Sequence, residues 1–218
     1  MQQLPPKKIS GFTFDAAWGG AAVLVPELRP LLDGIERSDS ITFDAHKWLS
    51  VSMGAGMFVT QYALLEKTFQ NKTAYMPKDA SGLEIVDPHL SSMQWSRRFI
   101  GLKLLLSLMV AGWDGYIEAI RHQAQMGVFL REALQRHGWT IRNQTDLPVV
   151  CFTSDRLENE HLLRIASRVV QSGEAWISTT LLGGSEWVLR ACITNYRTER
   201  EHVERLVESL NRARMAER

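Results

Sequence analysis

The sequence predicts an α/β fold that ends in a small α+β unit. Three strand-like apolar runs, 11–14, 40–43 and 57–60, are separated by irregular or helical pieces rich in glycine and proline. This alternation favours the second half of a doubly wound sheet. From about residue 125 the pattern changes to short strands and amphipathic helices. We therefore expect part of a large domain over residues 1–124 and a small C-terminal α+β domain over 125–218.

Between the first strands and the small unit, the sequence predicts one loop and three helices. Residues 62–69 predict a short helix, and residues 71–90 predict a long loop because prolines and a glycine interrupt any periodicity. Residues 97–110 are apolar almost all round, which is typical of a buried helix. Residues 116–137 carry apolar side chains at helical spacing, and Gly138 is the expected helix end.

The small unit has its own sequence of elements. Residues 149–153 predict a strand and residues 158–171 an amphipathic helix. Two further strands, 175–181 and 186–193, are joined through Gly183 and Gly184, which indicates a hairpin. Residues 198–201 (TERE) have the capping-box pattern and predict the start of a last helix.

Composition excludes several function classes. The chain has 218 residues, 45% hydrophobic and 22% charged, with a formal net charge of +1. There is no basic tract and no zinc-ligand spacing, so we expect neither a nucleic-acid partner nor a metal. The longest apolar stretch, 104–113, is shorter than the roughly 20 residues of a membrane-spanning helix. We interpret the two cysteines, Cys151 and Cys192, as buried free thiols, which fits a cytoplasmic location.

Two motifs that follow predicted strands carry the chemistry. Asp15 opens DAAWGG (15–20) after the first strand, and Lys47 lies in DAHKW (44–48) after the second. A pyridoxal phosphate (PLP) enzyme requires a lysine for the Schiff base and a carboxylate beside the ring nitrogen. Open α/β sheets bind their ligands at the C-terminal ends of strands. The sequence therefore predicts that Asp15 and Lys47 share one PLP site.

These motifs resemble those of the group II PLP-dependent decarboxylases, the family of aromatic-L-amino-acid, histidine and glutamate decarboxylases. The resemblance rests on DAAWGG, on residues 39–49, and on SRR (96–98) followed by GLK (101–103), with Leu189-Arg190 as a weaker match. It runs from about residue 11 to 210 and corresponds to the C-terminal half of a family member. It implies the fold of a fold-type I PLP-dependent transferase, PLP as cofactor and a homodimer.

The resemblance also implies roles for individual residues. Lys47 would form the internal aldimine, Asp15 would pair with the pyridinium nitrogen, and Ala17 would lie at the ring face. His46 matches a residue near the phosphate, although a core histidine with one backbone hydrogen bond is the alternative. Asp44 stands where relatives often carry asparagine. Because an ionised carboxylate cannot donate to a phosphate, cofactor contact and turn formation both remain open for Asp44.

Two features depart from the family pattern. Relatives carry a loop tyrosine that is thought to protonate the reaction intermediate, whereas the matching residues 86–90 hold His89 and no tyrosine. We take His89 as the candidate proton donor; otherwise proton delivery differs, or side reactions such as oxidative deamination compete. The phosphate-binding loop and the ring-stacking aromatic residue of relatives lie upstream of Asp15. We therefore expect this chain to be a piece of a longer protein.

The resulting prediction is a PLP-dependent carboxy-lyase that converts an L-amino acid to the corresponding amine. The alternatives are another PLP lyase, an aldehyde-forming variant, or a non-catalytic fragment, and we expect the fragment alone to be inactive. The sequence does not identify the amino acid. Trp18, Trp48 and Trp95 fit an aromatic substrate pocket, but tryptophans are equally common in cores.

Overall fold

The computed structural model describes residues 11–61, 68–69, 92–94, 96–155 and 157–217. Two β-sheets, each packed on its own hydrophobic cluster, are joined by one long helix. The predicted loop over 71–90 lies outside the described residues, as does the predicted helix over 62–69 apart from residues 68 and 69.

The first sheet has three strands in the order β1-β2-β3: β1 (Thr13–Asp15), β2 (Ser40–Asp44) and β3 (Gly56–Thr60). β1 runs parallel to β2, whereas β3 runs antiparallel to it. All three strands were predicted within two residues at either end. The sheet is therefore mixed, and only its β1–β2 pair has the parallel arrangement of a doubly wound fold.

Three short 3₁₀ helices, Gly19–Leu24, Arg29–Leu32 and Ile35–Arg37, connect β1 to β2. Their apolar residues pack with the segment after β2, and the cluster includes Ala22, Val25, Trp48 and Leu49. Gly20 is a packing requirement in this connection, because a Cβ there would lie 2.6 Å from Cδ2 of Phe43. Gly20 of the DAAWGG motif thus lets the chain pass close to Phe43 of β2.

The long helix α1 (Ile100–Arg136) joins the two predicted helices across a kink at Gly112. Gly112 has φ 66° and ψ 176°, a conformation that residues with a side chain rarely adopt. After the kink, α1 buries one face in the core, including Tyr116, Ile120, Leu130 and Leu134.

The prediction that residues 97–110 form a buried helix is wrong in one respect. The helix forms, but Leu105, Met109 and Val110 are 52%, 72% and 89% exposed. Only the side that carries Leu104 and Leu108 packs against the first cluster. A helix that is apolar all round needs cover on every side, and the described residues cover only one.

By length and composition alone, α1 is also apolar enough to cross a membrane. The stretch 104–113 looked too short in sequence, but the helix continues through the kink to Arg136. A single such helix is weak evidence for a membrane span, since core helices of soluble proteins meet the same criterion. The second half of α1 packs in the protein's own core.

The second sheet is antiparallel throughout, in the order β4-β5-β7-β6. Its strands are β4 (Thr140–Ile141), β5 (Val149–Thr153), β6 (Ser178–Leu182) and β7 (Glu186–Cys192). Helices α2 (Asn159–Gln171) and α3 (Arg200–Met215) pack with the end of α1 against it. The predicted hairpin is confirmed, with Gly183 and Gly184 at φ 58° and 76°. β4 was not predicted.

Helices α2 and α3 each have a glutamate as the N-cap residue. Glu199, not Thr198, is the N-cap of α3, and its backbone N–H donates to Nδ1 of His202 at 2.9 Å. Glu158 and His161 form the same contact at the start of α2, at 3.2 Å. The predicted N-cap was therefore one residue too early. The usual pattern has threonine at the N-cap and glutamate at N3, whereas this chain has glutamate and histidine at these positions.

The predicted domain boundary at residues 124 and 125 lies inside α1. Ile120 belongs to the first hydrophobic cluster and Met126 to the second, so the change between cores occurs near that point. Because one continuous helix serves both cores, the division stays a prediction.

Both cysteines are free thiols, but only one is fully buried as predicted. Cys151 is buried in β5, and Cys192 at the end of β7 is partly exposed. Removal of its thiol from water nevertheless raises the pKa of Cys192 to about 11.

Candidate cofactor site

Parallel pairing brings the two chemical motifs to the same edge of the first sheet. Asp15 is the last residue of β1, and Asp44 is the last residue of β2. The pairing continues past the strand ends, because the backbone N–H of Ala16 donates to the carbonyl of Thr42 and that of Asp44 to the carbonyl of Ala17, both at 3.0 Å. Lys47 follows Asp44 by one turn, so the predicted amine and the predicted carboxylate lie at one sheet edge.

The charged residues share the polar face of this sheet. Side chains alternate along a strand, and the polar set comprises Thr13, Asp15, Ser40, Thr42 and Asp44. Hydroxyls link the two strands on this face: Thr13 Oγ1 lies 2.8 Å from Ser40 Oγ, and Thr42 Oγ1 donates to Asp15 Oδ1 at 3.3 Å.

The opposite face of the sheet is apolar. Ile41, Phe43 and Met57 line a cavity of about 370 Å³ together with Leu104 and Leu108 of α1. A charged cofactor would lose its hydration there without compensation. The polar face is therefore the only one of the two that suits an ionic cofactor.

Asp15 is held in place by one of its two oxygens. Oδ1 accepts hydrogen bonds from the backbone N–H of Ala17 at 3.0 Å and from the hydroxyl of Thr42 at 3.3 Å. Within the described part of the chain, Oδ2 has no hydrogen-bonding partner. A fixed carboxylate with one open oxygen is what a protonated ring nitrogen requires, so this residue fits the group that the sequence predicts.

Lys47 projects from a turn with a buried base. Its backbone N–H donates to the carbonyl of Asp44 at 3.0 Å, and its own carbonyl accepts from Ser50 at 3.1 Å. Ala45 and Trp48 on either side are 0% and 2% exposed. The turn is therefore anchored in the core while the amine remains within reach of solvent.

The amine of Lys47 is paired with Asp44. Nζ lies 2.8 Å from Asp44 Oδ2, and the two side chains are 39% and 23% exposed. Of the two possibilities left open for Asp44, the turn is present, and the side chain contacts the lysine. Contact between Asp44 and a phosphate stays a prediction.

Gly56 makes room for this carboxylate. It pairs directly with Asp44 across the β2–β3 ladder, and a Cβ on Gly56 would lie 2.9 Å from Asp44 Oδ1. The contribution of Gly56 was missed in the sequence, because glycine at a strand start is a weak signal.

His46 has the backbone contact of its alternative interpretation. Its Nδ1 accepts the backbone N–H of Ala55 at 3.2 Å. This bond ties the lysine turn to the start of β3, and contact between His46 and a phosphate stays a prediction.

Two stacked indoles join the motifs. The rings of Trp18 and Trp48 lie 4.8 Å apart at an interplanar angle of 9°, and they belong to the first core cluster. Trp18 and Trp48 therefore have the core position that was the alternative to a substrate pocket, while Trp95 lies outside the described residues. The stack fixes the DAAWGG segment against the lysine turn. It therefore helps to set the position of Asp15 relative to Lys47.

A basic segment lies beside β3. Arg97 and Arg98 line a cavity of about 490 Å³ together with Gly56 and Gly101. Lys103 from the GLK block donates to the carbonyls of Ser52 and Met53, at 2.8 and 2.6 Å. Lys103 thus supports the loop between Lys47 and β3. The sequence marked Lys103 only as part of the GLK block of the family resemblance and did not predict this role.

The predicted site residues divide into two groups. The structure brings Asp15, Ala17, Asp44, His46 and Lys47 to one sheet edge. His89, the candidate proton donor, lies outside the described residues. Across the described ranges, no group of three or more His, Cys, Asp or Glu side chains could hold a metal ion.

Comparison with known proteins identifies the fold and the family. The aromatic-L-amino-acid decarboxylase of Catharanthus roseus is 29% identical over 200 residues, covering 88% of this chain and 40% of the relative. The 4-hydroxyphenylacetaldehyde synthase of Rhodiola rosea is 29% identical over 201 residues, with the same coverage of 88% and 40%. A solved structure of Oryza sativa TDC with PLP and tryptamine superposes with a TM-score of 0.83 at 26% identity, covering 96% of this chain and 45% of that one.

The fold-type I prediction is confirmed by this solved structure. The chain spans about 40% of the length of these two curated relatives. Residues 12–155, which contain both motifs, match the pyridoxal-dependent decarboxylase conserved domain. The chain belongs to the pyridoxal-dependent decarboxylase family, whose cofactor is PLP.

Proposed function

We propose that the protein containing this chain decarboxylates an L-amino acid to its amine, with PLP bound to Lys47 as a Schiff base. The observation that carries the proposal is the juxtaposition of Asp15 and Lys47 on the polar side of the β1–β2 edge. Lys47 would hold PLP through its amine, and Asp15 would pair with the ring nitrogen.

The proposal also assigns roles to Asp15 and Ala17. PLP supplies an electron sink for the carbanion left by carbon dioxide. Asp15, fixed by Ala17 and Thr42, keeps a proton on the ring nitrogen. Ala17 leaves space beside the ring. We also propose a homodimer, since the exposed apolar face of α1 needs cover. We propose a cytoplasmic location, since both cysteines are free thiols.

The lysine assignment is tested by reductive trapping in the protein at its native length. PLP is added in slight excess, borohydride reduces any Schiff base, and peptides are mapped by mass. We expect the pyridoxyl label on Lys47 at a yield well above that on Lys103, which is held by backbone carbonyls.

Two variants accompany this experiment. Lys47→Ala should lose the absorbance of the protein-bound Schiff base and the label, whereas Asp15→Asn should keep the label and lose turnover, because an amide does not hold the ring nitrogen protonated. A label that maps elsewhere with Lys47 unmodified would refute the site.

Aldehyde formation is the second candidate function. The match to a 4-hydroxyphenylacetaldehyde synthase and the absence of tyrosine from residues 86–90 both favour it. Mass analysis of the product separates the two. An amine formed with one equivalent of carbon dioxide and no uptake of oxygen supports decarboxylation. An aldehyde formed with carbon dioxide, ammonia and hydrogen peroxide, as oxygen and water are consumed, supports the alternative.

A further inference from the structure

The partner of Lys47 is unusual for an amine that has to attack an aldehyde. Nζ lies 2.8 Å from a carboxylate oxygen of Asp44, three residues earlier in the same turn. A lysine ammonium has no lone pair with which to attack an aldehyde, and here its Nζ is held against a carboxylate oxygen. The asparagine that relatives often carry here would have no such charge.

The residues around Asp44 place its carboxylate beside Lys47. Its backbone N–H is fixed by the carbonyl of Ala17, and its carbonyl accepts from Lys47, both at 3.0 Å. Its second oxygen occupies the space that the missing side chain of Gly56 leaves open. The described contacts therefore hold the backbone of Asp44 in place, and the ion pair between its Oδ2 and Nζ has to open before the amine is free.

We propose that Asp44 is a positioning residue that holds the Lys47 ammonium in the cofactor-free protein, so that Lys47 reaches an aldehyde only after this ion pair opens. The ion pair itself is argued from the contact alone. The statement about the aldehyde rests on the proposed function. Asp44 thereby slows cofactor capture and protects the free amine from other electrophiles.

Competitive acetylation measures the reactivity of the amine without any cofactor. The cofactor-free protein and a free lysine derivative compete for a limiting acetylating reagent, and mass spectrometry gives the acetylation of Lys47 relative to that derivative. Because partly exposed ion pairs are weak, we expect Asp44→Asn to raise the relative reactivity by about two- to fivefold. Asp44→Glu restores the charge and should return the reactivity towards that of the original protein.

A second variant disturbs the same ion pair without changing either of its two residues. Gly56→Ala should displace the Asp44 carboxylate and also raise the reactivity of Lys47, since the added methyl would lie 2.9 Å from Oδ1. Asp33→Asn is the matched control, because it removes one negative charge from the end of a 3₁₀ helix, and the described ion pair of Lys47 is with Asp44 instead. It should leave Lys47 unchanged, and Lys103 should be unchanged in every variant.

The outcomes separate this inference from the proposed function. Unchanged acetylation of Lys47 in both Asp44→Asn and Gly56→Ala, with circular dichroism showing folded protein, would overturn the ion-pair role whatever PLP does. Raised acetylation together with PLP trapping at another lysine would support the ion pair and reject the proposed function. Raised acetylation with equally accelerated trapping of PLP at Lys47 would support both.

Discussion

At the scale of single residues, Cys192 couples folding to pH. The thiol lies at the end of β7, and its burial raises its pKa from 9.0 to about 11. In the unfolded chain it ionises at the lower value. Between these two pH values the unfolded state loses a proton that the folded state retains, so stability has to fall as pH rises.

We expect the free energy of unfolding to decrease between pH 9 and 11 by about 2 kcal/mol more in the original protein than in Cys192→Ala. Below about pH 8 the thiol is almost entirely neutral in both states, so the difference between the two proteins should be constant there. Urea titrations at several pH values measure this. Parallel pH curves for the two proteins throughout this range would contradict the assigned burial.

Single residues also show how far the sequence predicts the site. Asp15 and Lys47 were predictable because each lies in a short motif directly after an apolar strand. The pairing of Lys47 with Asp44 was not, since a DAHKW string does not reveal which way a side chain turns. The part played by Gly56 depends on strand register, which only the β2–β3 ladder supplies.

At the scale of elements, a glycine sets the contact between α1 and the start of β5. A Cβ on Gly127 would lie 2.7 Å from the backbone Cα of Pro148. Backbone cannot yield as a flexible side chain can. The close approach lets Met126 and Leu130 reach the core of the small unit.

Gly127→Ala should therefore destabilise the protein by about 1 to 3 kcal/mol, the usual cost of overpacking. Gly115→Ala is the matched control on the same helix, because its nearest contact would be Ala111 Cβ at 3.6 Å. It should be neutral or stabilise the protein by up to about 1 kcal/mol through helix propensity. Equal effects of the two substitutions in urea denaturation would contradict the packing argument.

Elements were predicted well where the pattern is local. The hairpin at 183–184 and the amphipathic helix α2 follow from turn residues and periodicity, and both are present. The two-residue strand β4 has too little sequence to carry a pattern. For residues 100–110 the helix was predictable, but its burial was not, because burial depends on what surrounds a helix.

At the scale of the whole molecule, the two units differ in how completely they are covered. The small unit buries the larger cluster between its sheet and three helices. Among the described residues, the first unit leaves one face of α1 largely exposed. This face comprises Leu102, Leu105, Leu106, Met109, Val110 and Trp113. Exposed apolar patches of this kind favour association.

We expect the 218-residue chain expressed alone to self-associate through this face. Replacing Leu105 and Met109 together with glutamate should shift it towards the monomer, because two charges would then oppose burial of the face. Leu163→Glu is the control, since Leu163 is a comparably exposed leucine on α2. Sedimentation velocity at several concentrations measures the result, and a monomeric original chain would contradict the expectation.

The stacked indoles of Trp18 and Trp48 give the two motifs an optical consequence. Nearly parallel rings 4.8 Å apart couple their electronic transitions, so the pair absorbs and emits as one unit rather than as two chromophores. The five other tryptophans of the chain supply a background in which that coupling is a distinct circular dichroism signal. Its disappearance would report separation of the aspartate segment from the lysine turn, even while the small unit stays folded. The arrangement that aligns the proposed chemistry therefore carries its own spectroscopic reporter.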